Sequence, residues 1–358
     1  MNDTDTAISC SDLVRIYSGE GVEVQALQGL NLQVSRGELV AIIGASGSGK
    51  STLLGILSGL DKPTAGKASV AGRDLLSLTR KQRLEYRRHV VGFIWQQTER
   101  NLLPYLTARE NVMMAMSLAG TPSRQSRSAE LLDVLEIGRL ADRVPAQLSG
   151  GEQQRVAIAV SLANQPEVLL ADEPTGELDD ATSAEVLEVM RNVNRELGVT
   201  TLIVTHDPAV SEHVRRTVLI RDGRTSTEVF RSHGDGGEHS VAEEFTVIDR
   251  SGRLQLPAEY VSRLQLRDRV RLELETTHVR VSPAQRPATD PAVAPASPGS
   301  SVPPVPPVES VPPVESVPPV EPVPPAEPVP PAESVPPAVP PAAPVETDPT
   351  PIAEEEIR

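Results

Sequence analysis

Residues 44–51, Gly44-Ala-Ser-Gly-Ser-Gly49-Lys50-Ser51, follow the apolar run Leu39–Ile43 and precede a helical pattern from Ser51 to Leu60. A strand, a glycine-rich loop and a helix in this order bind phosphate, because glycines let backbone N–H groups turn inward and the helix N-terminus adds positive charge. Lys50 would reach the outer phosphates of a nucleoside triphosphate, and the Ser51 hydroxyl would bind Mg²⁺. The nucleotide-binding residues predicted here are Gly44, Ala45, Ser46, Gly47, Ser48, Gly49, Lys50, Ser51 and Thr52.

Two further apolar runs, Val168–Ala171 and Thr201–Val204, resemble short buried strands. Between them, residues 181–197 place apolar side chains at i, i+4, i+7 and i+11, which is the period of a helix. Gly198 suits the C-terminal end of that helix. A strand, a helix and a second strand with a parallel return predict an α/β protein with a parallel sheet.

The run at Val168 ends in two adjacent acids, Asp172 and Glu173. Asp172 would join the Mg²⁺ shell, as the second carboxylate element of nucleotide triphosphatases does. Glu173, one residue later, points in another direction and can polarise the attacking water. A strand that enters an ordinary acidic turn is the alternative, but the phosphate loop in the same chain favours the site.

The stretch Leu148-Ser149-Gly150-Gly151-Glu152-Gln153-Gln154-Arg155 places a serine and two glycine amides before a helix that begins near Glu152. It is therefore a second anion site at a helix N-terminus. A second phosphate site in a domain with one nucleotide requires a second molecule to supply that nucleotide. The stretch closely resembles the signature of ABC-type ATPases. The resemblance implies a parallel sheet core, an antiparallel β subdomain, a helical subdomain and a homodimer around ATP.

The same resemblance assigns further roles. Gln96 resembles the glutamine that senses Mg²⁺ and water and faces the transport partner, with Gln97 as its competitor. His206 resembles the histidine that contacts the γ-phosphate. Asp179 resembles the residue that communicates between two ATP sites, and it also suits a plain helix N-cap. Tyr17, 27 residues before Gly44, is expected to stack on adenine, with a packed core tyrosine as the alternative.

Three motifs are similar to the subgroup of lipoprotein-release, macrolide-export and cell-division ATPases: Asn101–Thr107, Glu110–Val112 and Ala171–Gly176. The resemblance covers roughly residues 8–230. The chain departs from the subgroup at two places. Gln97–Arg100 is longer than the usual spacing, in a segment expected to touch the membrane partner, and Glu177 stands where asparagine is common.

The resemblance implies an ATP-hydrolysing subunit that acts as a homodimer on a separately encoded membrane permease. Mg²⁺ would be held by Ser51, Gln96 and Asp172, with Glu173 and His206 directing hydrolysis. No run approaches the ~18 apolar residues of a membrane span. We therefore expect the protein in the cytoplasm, held at the inner face of the cell membrane by the permease. A soluble ABC ATPase of translation or DNA maintenance is one alternative.

The amino-acid composition changes along the chain and indicates further domains. One cysteine, Cys10, excludes a disulfide framework. The net charge is −15, of which −9 lies in residues 284–358, together with 25 of the 34 prolines. That segment repeats a glutamate every six residues and is predicted to be a disordered, solvated tail. The expected domains are an ATPase at 1–232, a glycine-rich linker at 233–240, a small module at 241–283 and the tail at 284–358.

The small module carries Phe245–Pro257 and Leu264–Leu274 and resembles the AbrB-type swapped-hairpin fold, whose members dimerise and in many cases bind DNA. Alternating Val270, Leu272 and Leu274 predict a strand with one buried face. Its seven acids and seven arginines cancel, which argues against DNA binding because phosphate neutralisation supplies most of that affinity. Dimerisation or partner docking is the favoured role, and a regulator that binds DNA through this module is the second alternative.

Overall fold

The computed structural model describes residues 5–19, 22–233, 240–249, 251–267 and 269–283. The predicted tail at 284–358 and residues 234–239 of the predicted linker at 233–240 lie outside these residues. By its internal contacts the chain divides into Met1–Pro287 and Ala288–Arg358, and the second unit lies wholly outside the described residues. Within the described residues, no helix has both the length and the apolar character needed to cross a bilayer.

The described residues form thirteen strands and seven α-helices. The strands are β1 (Thr6–Gly19), β2 (Val22–Ser35), β3 (Leu39–Ile43), β4 (Ala65–Val70), β5 (Arg73–Asp74), β6 (Val91–Ile94), β7 (Val168–Asp172), β8 (Thr200–Thr205), β9 (Arg216–Arg221), β10 (Arg224–His233), β11 (Ser240–Thr246), β12 (Val270–Leu274) and β13 (Val279–Pro283). The α-helices are α1 (Lys50–Leu57), α2 (Arg80–His89), α3 (Ala108–Ala119), α4 (Arg124–Val134), α5 (Gly150–Leu162), α6 (Asp180–Leu197) and α7 (Ala258–Arg263).

The central sheet has the strand order β11-β10-β9-β3-β8-β7-β6, and the five strands from β9 to β6 run parallel. The predicted strands around Leu39, Val168 and Thr201 are confirmed as β3, β7 and β8. The predicted helix between the last two is α6, and Gly198 ends it with φ +66°. Because β3, β8 and β7 are parallel neighbours, the loops after their carboxyl ends meet at one edge of the sheet.

Two further parts complete the expected architecture. A four-stranded antiparallel sheet has the order β2-β1-β4-β5, and helices α3, α4 and α5 pack together as a helical part. One apolar core joins α3–α6 to the central sheet around Met116, Leu132 and Ile158. The second joins α1 and the antiparallel sheet to the other face of the central sheet, around Leu13 and Leu54. The predicted combination of parallel core, antiparallel β part and helical part is confirmed.

The chain after residue 233 continues the central sheet. Strand β11 pairs antiparallel with β10, from Thr227 opposite Thr246 to His233 opposite Ser240. The order predicted for residues 241–283, strand, turn, helix, strand and strand, matches β11, α7, β12 and β13. However, β11 is the outermost strand of the central sheet, where it pairs with the edge that β10 would otherwise leave open. The domain boundary at 241 remains a prediction, and it runs through this hairpin.

The apolar face predicted to be buried on β12 is uncovered within a single chain. The side chains of Val270, Leu272 and Leu274 are 40%, 65% and 87% exposed, whereas the alternation predicted a buried face. The strand itself forms, as half of a two-stranded antiparallel sheet with β13. Within the described residues no third strand joins that sheet, and its apolar side chains stay in solvent. Alternation predicts a strand correctly, but burial depends on a covering element that the pattern does not specify.

Candidate active site

The loop between β3 and α1 adopts a backbone that requires glycine at several positions. Gly47 and Gly49 have φ values of +78° and +102°, and Gly49 directly precedes α1. A Cβ added to Gly49 would lie 2.6 Å from the carbonyl oxygen of Ala26, and one added to Gly44 would lie 2.5 Å from that of Ile220. The close approach of neighbouring backbone fixes a glycine-rich loop at the N-terminus of α1, and such a loop suits a phosphate chain.

Two polar side chains are buried in this loop. Lys50 is 7% exposed, and its Nζ donates hydrogen bonds to the carbonyl oxygens of Gly44 at 2.6 Å and Ala45 at 3.0 Å. The hydroxyl of Ser48 is buried and has no hydrogen-bond partner among the described residues. A buried cation and an unsatisfied hydroxyl at the N-terminus of a helix fit an anionic ligand that would satisfy them.

A cavity of about 1030 Å³ opens over the loop, which is large enough for a nucleotide. Residues from seven separate parts of the chain line it. The predicted residues among them are Tyr17, Gly44, Ala45, Ser46, Gly47, Gly49, Lys50, Ser51, Thr52, Gln96, Glu173 and His206. Sequence analysis missed Val24, Gln25, Ala26, Ile43, Pro208 and Leu219. Ile43 and Pro208 lie within two residues of predicted site residues, whereas Val24, Gln25, Ala26 and Leu219 carry no local motif and reach the cavity through the packing of distant segments.

Glu173 is the centre of the predicted catalytic group. Its backbone has φ +47°, a strained value for a residue with a side chain, and its N–H donates to the carbonyl oxygen of Val204 at 2.8 Å. One carboxylate oxygen lies 2.8 Å from Nδ1 of His206, and the other accepts a 3.2 Å hydrogen bond from Nε2 of Gln96. The three residues predicted to act in catalysis therefore meet in one contact group. Gln96 makes this contact, and its competitor Gln97 starts a short 3₁₀ helix.

Asp172 and Glu173 place two adjacent carboxyl groups near Lys50. Burial raises the pKa of Asp172, and the neighbouring Glu173 raises it further, while Lys50 opposes both effects. A bound divalent cation would stabilise the ionised form of Asp172 more strongly than Lys50 does. Within the described residues no three His, Cys, Asp or Glu side chains cluster as a metal site. The donors of Ser51, Gln96 and Asp172 are all oxygens on this assignment, which fits Mg²⁺ because it keeps several water or phosphate ligands.

Tyr17 lies at the rim of the cavity, and its ring is not packed in the core. Its side chain is 40% exposed, its hydroxyl donates to Asp61 at 2.9 Å, and the Arg15 guanidinium lies 4.3 Å from the ring centre. Burial opposes ionisation of Asp61, but hydrogen bonds from the Lys62 amide, Tyr17 and Arg15 outweigh it and lower the pKa of this carboxyl. Asp61 and Arg15, which sequence analysis missed, hold the ring in place.

The signature stretch forms the N-terminus of α5. The Ser149 hydroxyl accepts a 3.3 Å hydrogen bond from the Glu152 amide, and the Glu152 carboxylate accepts one of 2.9 Å from the Ser149 amide. This reciprocal cap fixes the first turn of α5, in which Ser149 and Gly150 are exposed and Gly151 is buried. None of Ser149, Gly150 and Gly151 lines the cavity over the phosphate loop. Within one chain, the two predicted phosphate sites are therefore separate.

Asp179 lies beside the signature stretch. Its carboxylate caps α6 by accepting hydrogen bonds from the amide and the hydroxyl of Thr182, at 3.0 and 2.7 Å. A Cβ added to Gly151 would lie 2.5 Å from the Thr182 methyl group. The interpretation of Asp179 as the N-cap of α6 is confirmed. The close approach of Gly151 to Thr182 also packs the start of α6 against α5. Neither Asp179 nor Gly151 lines the nucleotide cavity.

The two departures from the subgroup pattern meet in space. The Thr98 hydroxyl lies 3.3 Å from Oε1 of Gln154 and 3.5 Å from Oε2 of Glu177. Gln154 is 2% exposed, and its Nε2 has no partner among the described residues. Reversing the Gln154 amide would let Nε2 donate to Thr98 and let the Thr98 hydroxyl donate to Glu177. Sequence analysis missed this contact because the three residues are far apart in the chain.

The family model described as ABC transporter matches residues 27–176. The lipoprotein-releasing system ATP-binding protein LolD 2 of Caulobacter vibrioides is 44% identical over 222 residues, which cover 62% of this chain and 96% of that relative. This chain belongs to the ABC transporter ATPases. Its nucleotide is ATP, and its enzymatic activity is ATP hydrolysis, as the motifs predicted.

Two further relatives define the extent of the match. The macrolide export ATP-binding/permease protein of Syntrophobacter fumaroxidans is 48% identical over 220 residues, which cover 60% of this ABC ATPase but only 30% of that relative. A dimeric ATP-binding cassette in a post-hydrolysis state with ADP and Pi is 38% identical, with a TM-score of 0.56 over 62% of this chain and 97% of that one. The predicted family and its lipoprotein-release and macrolide-export relatives are confirmed. The AbrB-like resemblance of residues 241–283 stays a prediction.

Proposed function

We propose that two copies of this ABC ATPase enclose two ATP molecules, each between Gly44–Ser51 of one copy and Ser149–Gly151 of the other. The observation that carries the proposal is the separation of the two sites within one chain, because the capped N-terminus of α5, with Ser149 and Gly150 exposed, lies outside the cavity over the phosphate loop. A helix N-terminus with free amides attracts phosphate, and a second copy would supply that phosphate. The dimeric relative supports this arrangement.

The residues around the cavity divide the chemistry of hydrolysis. Lys50 would exchange its bonds to the loop carbonyls for the outer phosphates. Glu173, held by His206 and Gln96, would orient the attacking water and accept its proton. The loop amides and Lys50 would stabilise the charge that develops on the transferred phosphoryl group, which supplies most of the rate enhancement in such sites.

Ser51, Gln96 and Asp172 would hold Mg²⁺, which neutralises phosphate charge when it is bound. The raised pKa of Asp172 supports this assignment, since its ionised form lacks a sufficient positive partner in the protein alone. His206, which is solvent-exposed on one side, would contact the γ-phosphate while its Nδ1 holds Glu173. Gln96 would then link the metal, Glu173 and the segment that follows it toward the transport partner.

The partner in this proposal is a separately encoded integral-membrane permease, so that the ATPase works at the cytoplasmic face of the cell membrane. Apolar side chains are exposed on the segment after Gln96 and on α3, namely Leu103, Tyr105, Met114 and Leu118. Leu103 and Tyr105 follow the 3₁₀ helix Thr98–Arg100 in the chain, and Thr98 of that helix lies 3.5 Å from Oε2 of Glu177. Closure of the ATP dimer would move this surface and transmit work to the permease.

Substitution of Ser149 tests the ATP dimer. In a Glu173→Gln background, Ser149→Arg should preserve MgATP binding to the monomer but prevent the nucleotide-dependent dimer in size-exclusion chromatography. The matched control is Ser123→Arg, which replaces another serine at a helix N-terminus that makes no side-chain cap. Loss of MgATP binding by the Ser149 variant would show that the signature acts in its own chain and would reject the proposal.

Site-specific photo-crosslinking tests the permease. A benzophenone amino acid replaces Tyr105, and in a second variant it replaces Tyr260, which is also exposed. In membranes of the native cell, the probe at position 105 should crosslink one integral-membrane protein, and purified ATPase should gain activity when reconstituted with that protein. Crosslinking only to soluble or DNA-associated proteins would favour the soluble or regulatory alternatives.

A further inference from the structure

Strand β12 has an unpaired edge. The amide of Glu275 donates to the carbonyl oxygen of His278 at 2.9 Å, so the hydrogen-bonded pairs toward β13 involve residues 271, 273 and 275. The backbone N–H and C=O groups of Val270, Leu272 and Leu274 therefore point away from β13. Among the described residues no strand pairs with this edge. An open edge of this kind is a template for a further strand.

The sequence of β12 is complementary to itself. If a second copy pairs antiparallel with Leu272 opposite the partner's Leu272, then Arg271 lies opposite the partner's Glu273, and Val270 lies opposite the partner's Leu274. The leucine pair would be a hydrogen-bonded pair, since both backbone groups of Leu272 point outward. The Arg–Glu pairs would be non-hydrogen-bonded pairs, in which opposed side chains approach most closely.

Charge selects this register over its neighbours. A twofold axis at residue 271 would place arginine against arginine, and one at 273 would place glutamate against glutamate. An axis at 270 would oppose Arg271 to the partner's Arg269, and one at 274 would oppose Glu273 to the partner's Glu275. Like charges directly opposite each other destabilise antiparallel pairs. Only the axis at Leu272 pairs unlike charges throughout.

Both charged side chains are available for such pairing. Neither Arg271 nor Glu273 forms an ion pair with another described residue, and both are exposed, whereas Arg280 on β13 pairs with Glu275. The outer edge of β13 is the poorer candidate because Pro283 has no N–H to donate. The apolar face of the hairpin, with Leu272 and Leu274 in solvent, would become continuous across two copies.

We propose that β12 is a self-association surface, and that it joins two copies of this chain edge to edge into a four-stranded antiparallel sheet with its twofold axis at Leu272. A two-stranded sheet alone is marginally stable in water, and additional strands stabilise it. The contact uses the same patch on both copies, as a closed twofold dimer requires. It involves no residue of the ATP site and needs no nucleotide.

Charge exchange on β12 tests the proposal in the full-length chain. Analytical ultracentrifugation without nucleotide should show a concentration-dependent dimer for the wild type. Arg271→Glu and Glu273→Arg should each raise the dimer dissociation constant at least about tenfold, because each turns two attractive pairs into repulsive ones. The double variant R271E/E273R restores unlike pairs and should return to within about threefold of the wild type. Arg267→Glu, the same charge change outside β12, should have no effect.

Several outcomes would overturn the proposal. One is a monomeric wild type under these conditions, and another is a dimer that none of the β12 charge variants weakens. Failure of the double variant to recover, while its thermal unfolding matches that of the wild type, would show that charge pairing across β12 does not hold the copies together. A monomer whose binding to anionic lipid vesicles follows the number of arginines on β12 would identify a membrane surface as the ligand instead.

Discussion

Nδ1 of His206 lies 2.8 Å from Oε1 of Glu173, while Oε2 of the same carboxylate accepts a hydrogen bond from Gln96. The contact joins the loop after β8 to the loop after β7, and Gln96 adds the loop after β6. Three neighbouring regions of the sheet edge thus converge on one carboxylate. A movement of the segment after Gln96 would therefore shift a hydrogen-bond partner of Glu173, the residue proposed to activate water.

Replacing Glu173 with glutamine should separate binding from hydrolysis. The amide keeps the shape of the side chain but loses the negative charge that accepts a proton, so turnover should fall by ~10²–10⁴. Lys50 and the loop amides are untouched, so MgATP should still bind and the dimer should accumulate in size-exclusion chromatography. Glu177→Gln, four residues away, is the matched control. A Glu173 variant that hydrolyses ATP at the wild-type rate would contradict the assigned role.

Asp172→Asn should stabilise the protein without nucleotide while it weakens the response to Mg²⁺. Burial, aided by Glu173, raises the pKa of Asp172 in the fold, so its ionisation at neutral pH opposes folding. The stability associated with the protonated form is present below the ordinary value of 3.8 and is lost as pH rises through the folded pKa. The variant should therefore gain on the order of 1–2 °C in Tm at pH 7. That gain should vanish near pH 3.

The control for this measurement is Asp142→Asn, because the Asp142 side chain is 86% exposed. It should leave Tm unchanged within error at both pH values. Differential scanning fluorimetry with and without MgATP checks both parts of the prediction. A destabilised Asp172 variant in the absence of nucleotide would show that the carboxylate is already well compensated inside the protein.

The ring of Tyr17 should matter more than its hydroxyl. Loss of base stacking in Tyr17→Ala should weaken ATP binding by roughly 5- to 150-fold, which corresponds to about 1–3 kcal/mol. Tyr17→Phe keeps the ring beside Arg15 and gives up only the exposed hydrogen bond to Asp61, so its affinity should stay within about threefold of the wild type. Fluorescent-nucleotide titration measures both. Equal losses in the two variants would assign the effect to the hydrogen bond instead.

Thr98 and Gln154 should be energetically coupled. Thr98→Val removes the hydroxyl beside a buried amide and should lower the free energy of unfolding by about 1–3 kcal/mol. Gln154→Met removes the buried amide with little change of volume. In the double variant the loss should be clearly smaller than the sum of the single losses, since no unsatisfied group remains. Additive losses in urea denaturation would show that the two side chains do not interact.

The local motifs were readable from the chain alone. The strand Leu39–Ile43, the glycine loop and Lys50 are consecutive, so a backbone pattern of a dozen residues was enough to predict a phosphate site and its position between β3 and α1. The helix at Asp180–Leu197 followed from its apolar period and its terminal residues Asp179 and Gly198. The order of such motifs also identified the family, because each motif depends on neighbours in sequence.

Tertiary structure decided what depends on distant segments. The chain order does not show that Gln96, rather than Gln97, reaches Glu173, because one residue of shift turns a side chain to another direction. It also cannot show that Thr98, Gln154 and Glu177 meet, or that Arg15 and Asp61 hold Tyr17. The side chains of β12 make the same point, since alternation predicts a strand whether or not another element covers it. Burial and partner choice are properties of packing between elements, and only the folded chain specifies them.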